Sequence, residues 1–125
     1  MLIDNLKLKA QLLCGDEFAM GPGKADLLEA IAVEGSISGA GRRLGMSYRR
    51  TWLLVDSMNR CFTARLVETL SGGGKERGAR VTEDGRRVLA AYRMLEADIA
   101  RAANGAPLAE LLGLLRPAPL PAHHD

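Results

Sequence analysis

Two pairs of adjacent arginines, Arg42-Arg43 and Arg49-Arg50, punctuate the run Gly35-Ser36-Ile37-Ser38-Gly39-Ala40-Gly41-Arg42-Arg43-Leu44-Gly45-Met46-Ser47-Tyr48-Arg49-Arg50-Thr51-Trp52. The chemistry open to them is recognition of a polyanion. A guanidinium can fork onto O6 and N7 of guanine, while Ser and Thr hydroxyls and backbone amides can hold phosphate. Arginine at a helix start faces the positive end of the dipole, a poor place for a cation without an anionic partner. Ser47, Tyr48, Arg49, Arg50 and Thr51 are therefore candidate readers of a nucleic-acid site. Arg42 and Arg43 are candidate phosphate contacts, and Ser36 and Ser38 join them from the start of the preceding helix. Lys75, Arg77 and Arg80 form a second basic set around Gly72-Gly73-Gly74, suited to phosphates or to the minor groove.

Other chemistries find no support. Cys14 and Cys61 have neither CxxC spacing nor a neighbouring histidine cluster, and His123 and His124 stand at the chain end, so no metal site is expected. Gly23-Lys24 and Gly74-Lys75 faintly resemble phosphate loops. Phe18 and Ala25 break the pattern at the first, and Glu76 breaks it at the second. With no paired nucleophile and base, the reading is of a protein that is not an enzyme and needs no cofactor.

The elements that must position these residues follow from periodicity. Leu6 to Leu13 alternates apolar and polar residues and predicts a strand, with a loop from Gly15 to Gly23. Leu27, Leu28, Ile31 and Ala32 predict a helix from Lys24 to Glu34, stopped by Gly35. Ser38 is the expected cap of a second helix that breaks at Gly45. Ser47 is the expected cap of a third, whose inner face carries Trp52, Val55, Met58 and Phe62. Small residues at Gly39, Ala40 and Gly41 let the second helix lie close to its neighbour, although Gly41 and Gly45 leave the helix boundary soft. The runs 66–70 and 79–82 around a glycine-rich tip predict a β-hairpin, and Thr82 caps a long helix ending near Gly105. A short apolar stretch, Leu108 to Leu115, precedes a tail with Pro117, Pro119 and Pro121.

The chain has 125 residues, the size of one domain, and only 4% aromatics, so Leu, Val, Ile, Ala and Met must build a largely helical core. The net charge of +2 is unevenly spread. Residues 35–87 hold ten arginines and a lysine against five acids, whereas acids outnumber bases on both sides. A basic middle fits a local polyanion surface, the plain alternative being a solvated face. No apolar run approaches the ~20 residues needed to cross a bilayer, and Met1-Leu2-Ile3 does not open a signal peptide. A cytoplasmic protein without membrane contact is the expectation.

From about Lys24 to Ala103 the sequence resembles the N-terminal DNA-binding domain of the ModE-type molybdate-responsive regulators, a winged-helix type shared with LysR regulators. The residues that carry the likeness are Gly35-Ser36-Ile37-Ser38, Ser47-Tyr48-Arg49, Trp52, Val55, Met58-Asn59, Leu66-Val67-Glu68, Gly72-Gly73, Val81-Thr82 and Gly85. The resemblance implies a homodimer on palindromic operators, with dimer contacts from the N-terminal strand region and from the long helix after the wing. The chain departs from those regulators in two respects, the glycines at 41 and 45 and, more important, the part that follows Gly105. They sense molybdate through C-terminal oxyanion-binding β-domains, and the residues after Gly105 are too few to build one.

The fold expected is therefore mainly α with a small β hairpin: a winged helix-turn-helix with an N-terminal strand and a long C-terminal dimerisation helix. Residues 1–105 form the DNA-binding and dimerisation domain, and residues 106–125 a short apolar segment and flexible Pro-rich tail. The function expected is a sequence-specific double-stranded DNA-binding transcriptional regulator without the molybdate-binding domain. The alternative is a winged-helix module that docks protein or RNA.

Overall fold

The computed structural model describes residues 1–70 and 78–123. The chain opens on two short antiparallel hairpins, β1 (Leu2–Ile3) with β2 (Leu6–Lys7), and β3 (Leu12–Cys14) with β4 (Glu17–Met20). Helices α1 (Pro22–Glu34), α2 (Ile37–Arg43) and α3 (Tyr48–Cys61) follow. Strands β5 (Val67–Thr69) and β6 (Ala79–Val81) then form the wing hairpin, ahead of α4 (Glu83–Ala103) and α5 (Ala106–Leu114).

The N-terminus differs from the single strand predicted over Leu6–Leu13. The alternation survives as burial, with Leu6 and Leu8 half-buried and Lys7 and Lys9 exposed. Pairing, however, is divided between two hairpins, because the chain reverses at Asp4 (φ 52°) and at Gly15 (φ 59°). Part of the predicted loop is thus β4, whose Ala19 and Met20 enter the core. Pro22 opens α1 two residues earlier than expected, where its fixed φ suits a first helical turn and its missing amide costs nothing.

Helix α1 packs against α2, α3, α4, β4 and β6. Its Ala25, Leu27, Leu28 and Ile31 are fully buried and meet Met20, Met58 and Leu66, which are fully buried too. Gly35 ends the helix in the left-handed conformation, its amide bonding Ile31 O at 2.8 Å. The wing is fixed from both sides. Ala79 N–H donates to Gly35 O at 2.9 Å. The Asn59 amide accepts from Leu66 N and Val67 N at 2.9 and 3.1 Å and donates to Val67 O at 3.1 Å. Thr82 caps α4 as expected, accepting from Gly85 N at 3.0 Å. Helix α4 returns over α1. Its buried Tyr92 hydroxyl donates to Ala10 O at 2.7 Å, and Arg93 bridges Asp26, Glu29 and Glu96 at 2.7–2.9 Å. The stretch expected to be merely apolar after Pro107 is helical, with Leu108 buried and Leu111, Leu114 and Leu115 exposed.

Candidate nucleic-acid interface

The helix-turn-helix is assembled by local chemistry. Ser47 caps α3 as predicted, its Oγ accepting from Arg50 N at 3.1 Å. The cap of α2 is Ser36, not Ser38: Ser36 Oγ accepts from Gly39 N at 2.9 Å. Ile37 must be inside the first turn to reach the core, which moves the cap one residue upstream of it. Ser38 thus lies within the first turn, half-buried. The reversal between the helices is made at Gly45, where φ is 69°, a conformation an L side chain rarely adopts. Met46 N–H closes the turn on Gly41 O at 2.8 Å. This glycine is therefore a requirement of the turn rather than a soft spot.

Gly41 has a second role. A methyl group on its Cα would collide with Thr51 Oγ1, so α2 and α3 meet at van der Waals distance. Thr51 is fully buried there, its hydroxyl donating to Ser47 O at 2.7 Å. The expectation that Thr51 touches nucleic acid is corrected: it faces α2, one helical step of rotation away from the arginines.

Of the other predicted residues that are described, Arg42, Arg43, Ser47, Tyr48, Arg49, Arg50 and Arg80 are exposed, and Ser36 and Ser38 are half-buried. Tyr48 is 62% exposed and meets the edge of Trp52 with ring centroids 6.2 Å apart. Arg49 and Arg50 are exposed in the first turn of α3, which holds no acid, and neither has an ion-pair partner among the described residues. Arg42 and Arg43 occupy the last turn of α2, both exposed. Arg43 bridges Glu34 at 3.1 Å on the surface. Arg80 lies on β6 directly across from Glu68, which it contacts at 2.9 Å. Such exposed pairs contribute at most about 1 kcal/mol, so phosphate can displace them readily. Lys75 and Arg77 lie outside the described residues.

Sequence reading missed three contributors. Leu53, 55% exposed, follows Arg49 by one helical turn on the outer face of α3, where apolar contact with a thymine methyl is available. Lys9 and Lys24 line a groove of about 200 Å³ with Arg50 at the start of α1. Partial burial pulls the Lys24 ammonium below its usual range, and neighbouring Arg50 adds to the effect against Cys61 and Glu17. No local pattern in the sequence joins these three cations; only the fold does. Among the described residues no group of His, Cys, Asp and Glu could hold a metal. No described helix is long and apolar enough to cross a membrane.

No protein-family model matches the chain. Over 83 residues, 66% of the chain, it is 41% identical to the molybdenum-pterin-binding protein MopA of Rhodobacter capsulatus, of which it covers 31%. Over 78 residues, 62% of the chain, it is 40% identical to the molybdenum transport protein ModE of Azotobacter vinelandii, covering 29%. Over 74 residues, 59% of the chain, it is 36% identical to the DNA-binding transcriptional dual regulator ModE of Escherichia coli (strain K12), covering 28%. The chain thus spans less than a third of the length of these curated relatives. Among solved structures, the full-length LysR-type regulator LysG of Corynebacterium glutamicum with bound effector arginine superposes with a TM-score of 0.51. The two share 26% identity, and the match covers 77% of this chain and 30% of that one. The resemblance carried by Gly35-Ser36-Ile37-Ser38 and Ser47-Tyr48-Arg49 is borne out, and the fold is a winged helix-turn-helix of the LysR type.

Proposed function

We propose that the chain is a sequence-specific transcriptional regulator that binds double-stranded DNA as a homodimer on palindromic operators. The observation that carries the reading is the open start of α3. Arg49 and Arg50 stand there exposed and without ion-pair partners among the described residues, at the helix end where the dipole disfavours cations. A duplex entering this end gains the guanidinium forks and meets the positive dipole as well. In this arrangement α3 enters the major groove first by its N-terminus, and α2 braces on the backbone.

Arg49 and Arg50 take base edges, with Tyr48 and Leu53 supplying flat and apolar contact. Ser36, Ser38, Arg42, Arg43 and Ser47 hold flanking phosphates. Ser47 and Ser36 keep their hydroxyl protons to donate while their oxygens cap the helices. Lys9 and Lys24 extend the same charge from the start of α1. The wing, through Arg80 and the neighbouring Lys75 and Arg77, reaches phosphates or the adjacent minor groove. No residue needs a catalytic role. Within these 125 residues the reading assigns no oxyanion-sensing part, despite the molybdenum named for MopA and ModE.

The test is fluorescence anisotropy of the chain on a random-sequence 30-base-pair duplex and on an RNA hairpin of equal charge, across a salt series. A dimer neutralising six or more phosphates loses about 10³-fold or more in duplex affinity between 50 and 200 mM salt. A salt-insensitive signal, or preference for the RNA hairpin, contradicts the proposal and favours a protein- or RNA-docking module.

A further inference from the structure

Cys14 and Cys61 are distant in the sequence but both lie beside Glu17, where the second hairpin docks on the end of α3. Cys14 closes β3 and is paired directly across the strands with Glu17 of β4, so both side chains leave the hairpin on one face. The Glu17 carboxylate accepts the Cys61 S–H at 3.8 Å. It is held by Arg60 at 2.8 and 3.2 Å. Ser57 donates to Phe18 O at 3.3 Å and fixes the same junction. Glu17 is thus the common neighbour of both cysteines, across the strands from Cys14 and hydrogen-bonded to Cys61. Cys14 is exposed and Cys61 half-buried. Burial, with the Cys14 contact and the Glu17 charge, holds the Cys61 thiol above its usual range. Lys24 is near enough to both Cys61 and Glu17 to interact with their charges.

We propose that Cys14 and Cys61 are a reversible oxidation site that closes an intramolecular disulfide on exposure to a peroxide. Cys14, accessible to solvent, is oxidised first and Cys61 resolves it. The Cys14 sulfur attacks one peroxide oxygen: the S–O bond forms, the O–O bond breaks, and hydroxide leaves with the thiol proton as water. The Cys61 sulfur then attacks the sulfenic sulfur of Cys14: the S–S bond forms, the S–O bond breaks, and hydroxide leaves with the Cys61 proton as a second water. Two thiols and one peroxide thus give one disulfide and two waters, and a dithiol restores the starting state.

The bond joins the end of β3 to the end of α3 and encloses α1, α2 and α3 in one covalent loop. It lies at the opposite end of α3 from Arg49 and Arg50. Oxidation therefore strengthens the helix-turn-helix while leaving its proposed DNA-facing end open. Neither cysteine is among the residues assigned to DNA, although Lys24 neighbours both regions, and the site stands independently of that assignment.

The experiment treats the reduced full chain with stoichiometric hydrogen peroxide and reads intact mass, peptide linkage and thermal midpoint. The expected result is a monomer lighter by two hydrogens, a Cys14–Cys61 linked peptide, a raised midpoint, and full reversal by dithiothreitol. Cys14→Ser, at an exposed position, abolishes the link and the midpoint shift. Cys61→Ser leaves Cys14 as a sulfenic acid that dimedone traps. Sulfinic acid on Cys14 with Cys61 still free, a Cys14–Cys14 bond between two copies, or unaltered thiols would overturn the proposal.

Discussion

Arg50 and Thr51 stand side by side on α3 and do opposite work. A helix turns about 100° per residue, enough to carry one side chain into solvent and the next into the contact with α2. That contact is tight at Gly41, so Gly41→Ala is expected to destabilise the fold by about 1–3 kcal/mol through overpacking, despite alanine's better helix propensity. The Gly41→Ala, Thr51→Ala double variant should cost less than the sum of the two singles, because the second change removes the colliding hydroxyl. Urea unfolding of the four proteins measures this, and strict additivity would show that the two residues do not share a contact. The arginines are judged by function instead. Arg49→Ala with Arg50→Ala is expected to weaken binding to a preferred duplex by about 1–3 kcal/mol per lost base contact and to relax specificity. Anisotropy on duplexes bound by the parent chain reads it, and an unaltered affinity would remove α3 from recognition.

At the scale of elements, the wing and α4 are held by single polar residues with long reach. Asn59 satisfies two amides and one carbonyl of the Leu66–Val67 segment, where β5 begins. Asn59→Ala leaves both amides unpaired and should cost about 1–3 kcal/mol, with faster hydrogen exchange at Leu66 and Val67 as the local readout. Protected amides in that variant would mean the wing is fixed otherwise. Tyr92 ties α4 to Ala10, and burial raises its phenol above the usual value of 10.0. Because the folded value lies above the unfolded one, this contribution is complete at neutral pH and is lost as pH rises through and beyond the ordinary phenol range. Tyr92→Phe should therefore be less stable by about 0.5–1.5 kcal/mol at neutral pH and should show a flatter decline in alkali. Parallel curves for the two proteins would contradict this. The elements legible in the sequence were those whose signals are local. The Ser47 and Thr82 caps, the apolar stripes of α1 and α3, and the strands flanking the glycines all declare themselves within a few residues. The N-terminal hairpins, the choice of Ser36 over Ser38 and the burial of Thr51 depend on what packs across the core, which no window of sequence contains. The gathering of Lys9, Lys24 and Arg50, and the placing of Cys14 and Cys61 on either side of Glu17, have the same origin.

For the whole molecule, exposed apolar side chains are found at the N-terminal hairpins and on α4 and α5 as well as on α3. Met94 on α4 and Leu111 and Leu114 on α5 are 65–78% exposed, large apolar side chains of the kind an interface covers. The homodimer reading uses this surface together with the N-terminal hairpins. Light scattering should give twice the 13.4 kDa chain mass, and Met94→Glu with Leu111→Glu should shift it to one; a monomeric parent chain would contradict the symmetry. Micromolar molybdate is expected to leave duplex affinity and Trp52 fluorescence unmoved, and an anion-induced change in either would assign sensing to these residues. Selection of bound duplexes from a random library at two salt concentrations probes recognition most directly. Two recognition helices related by a dyad should enrich a palindrome whose half-sites are centred about 34–36 Å apart, with the same motif at both salts. Recovery of no motif, or of an unpaired one, would show that the open end of α3 does not read DNA as a symmetric pair.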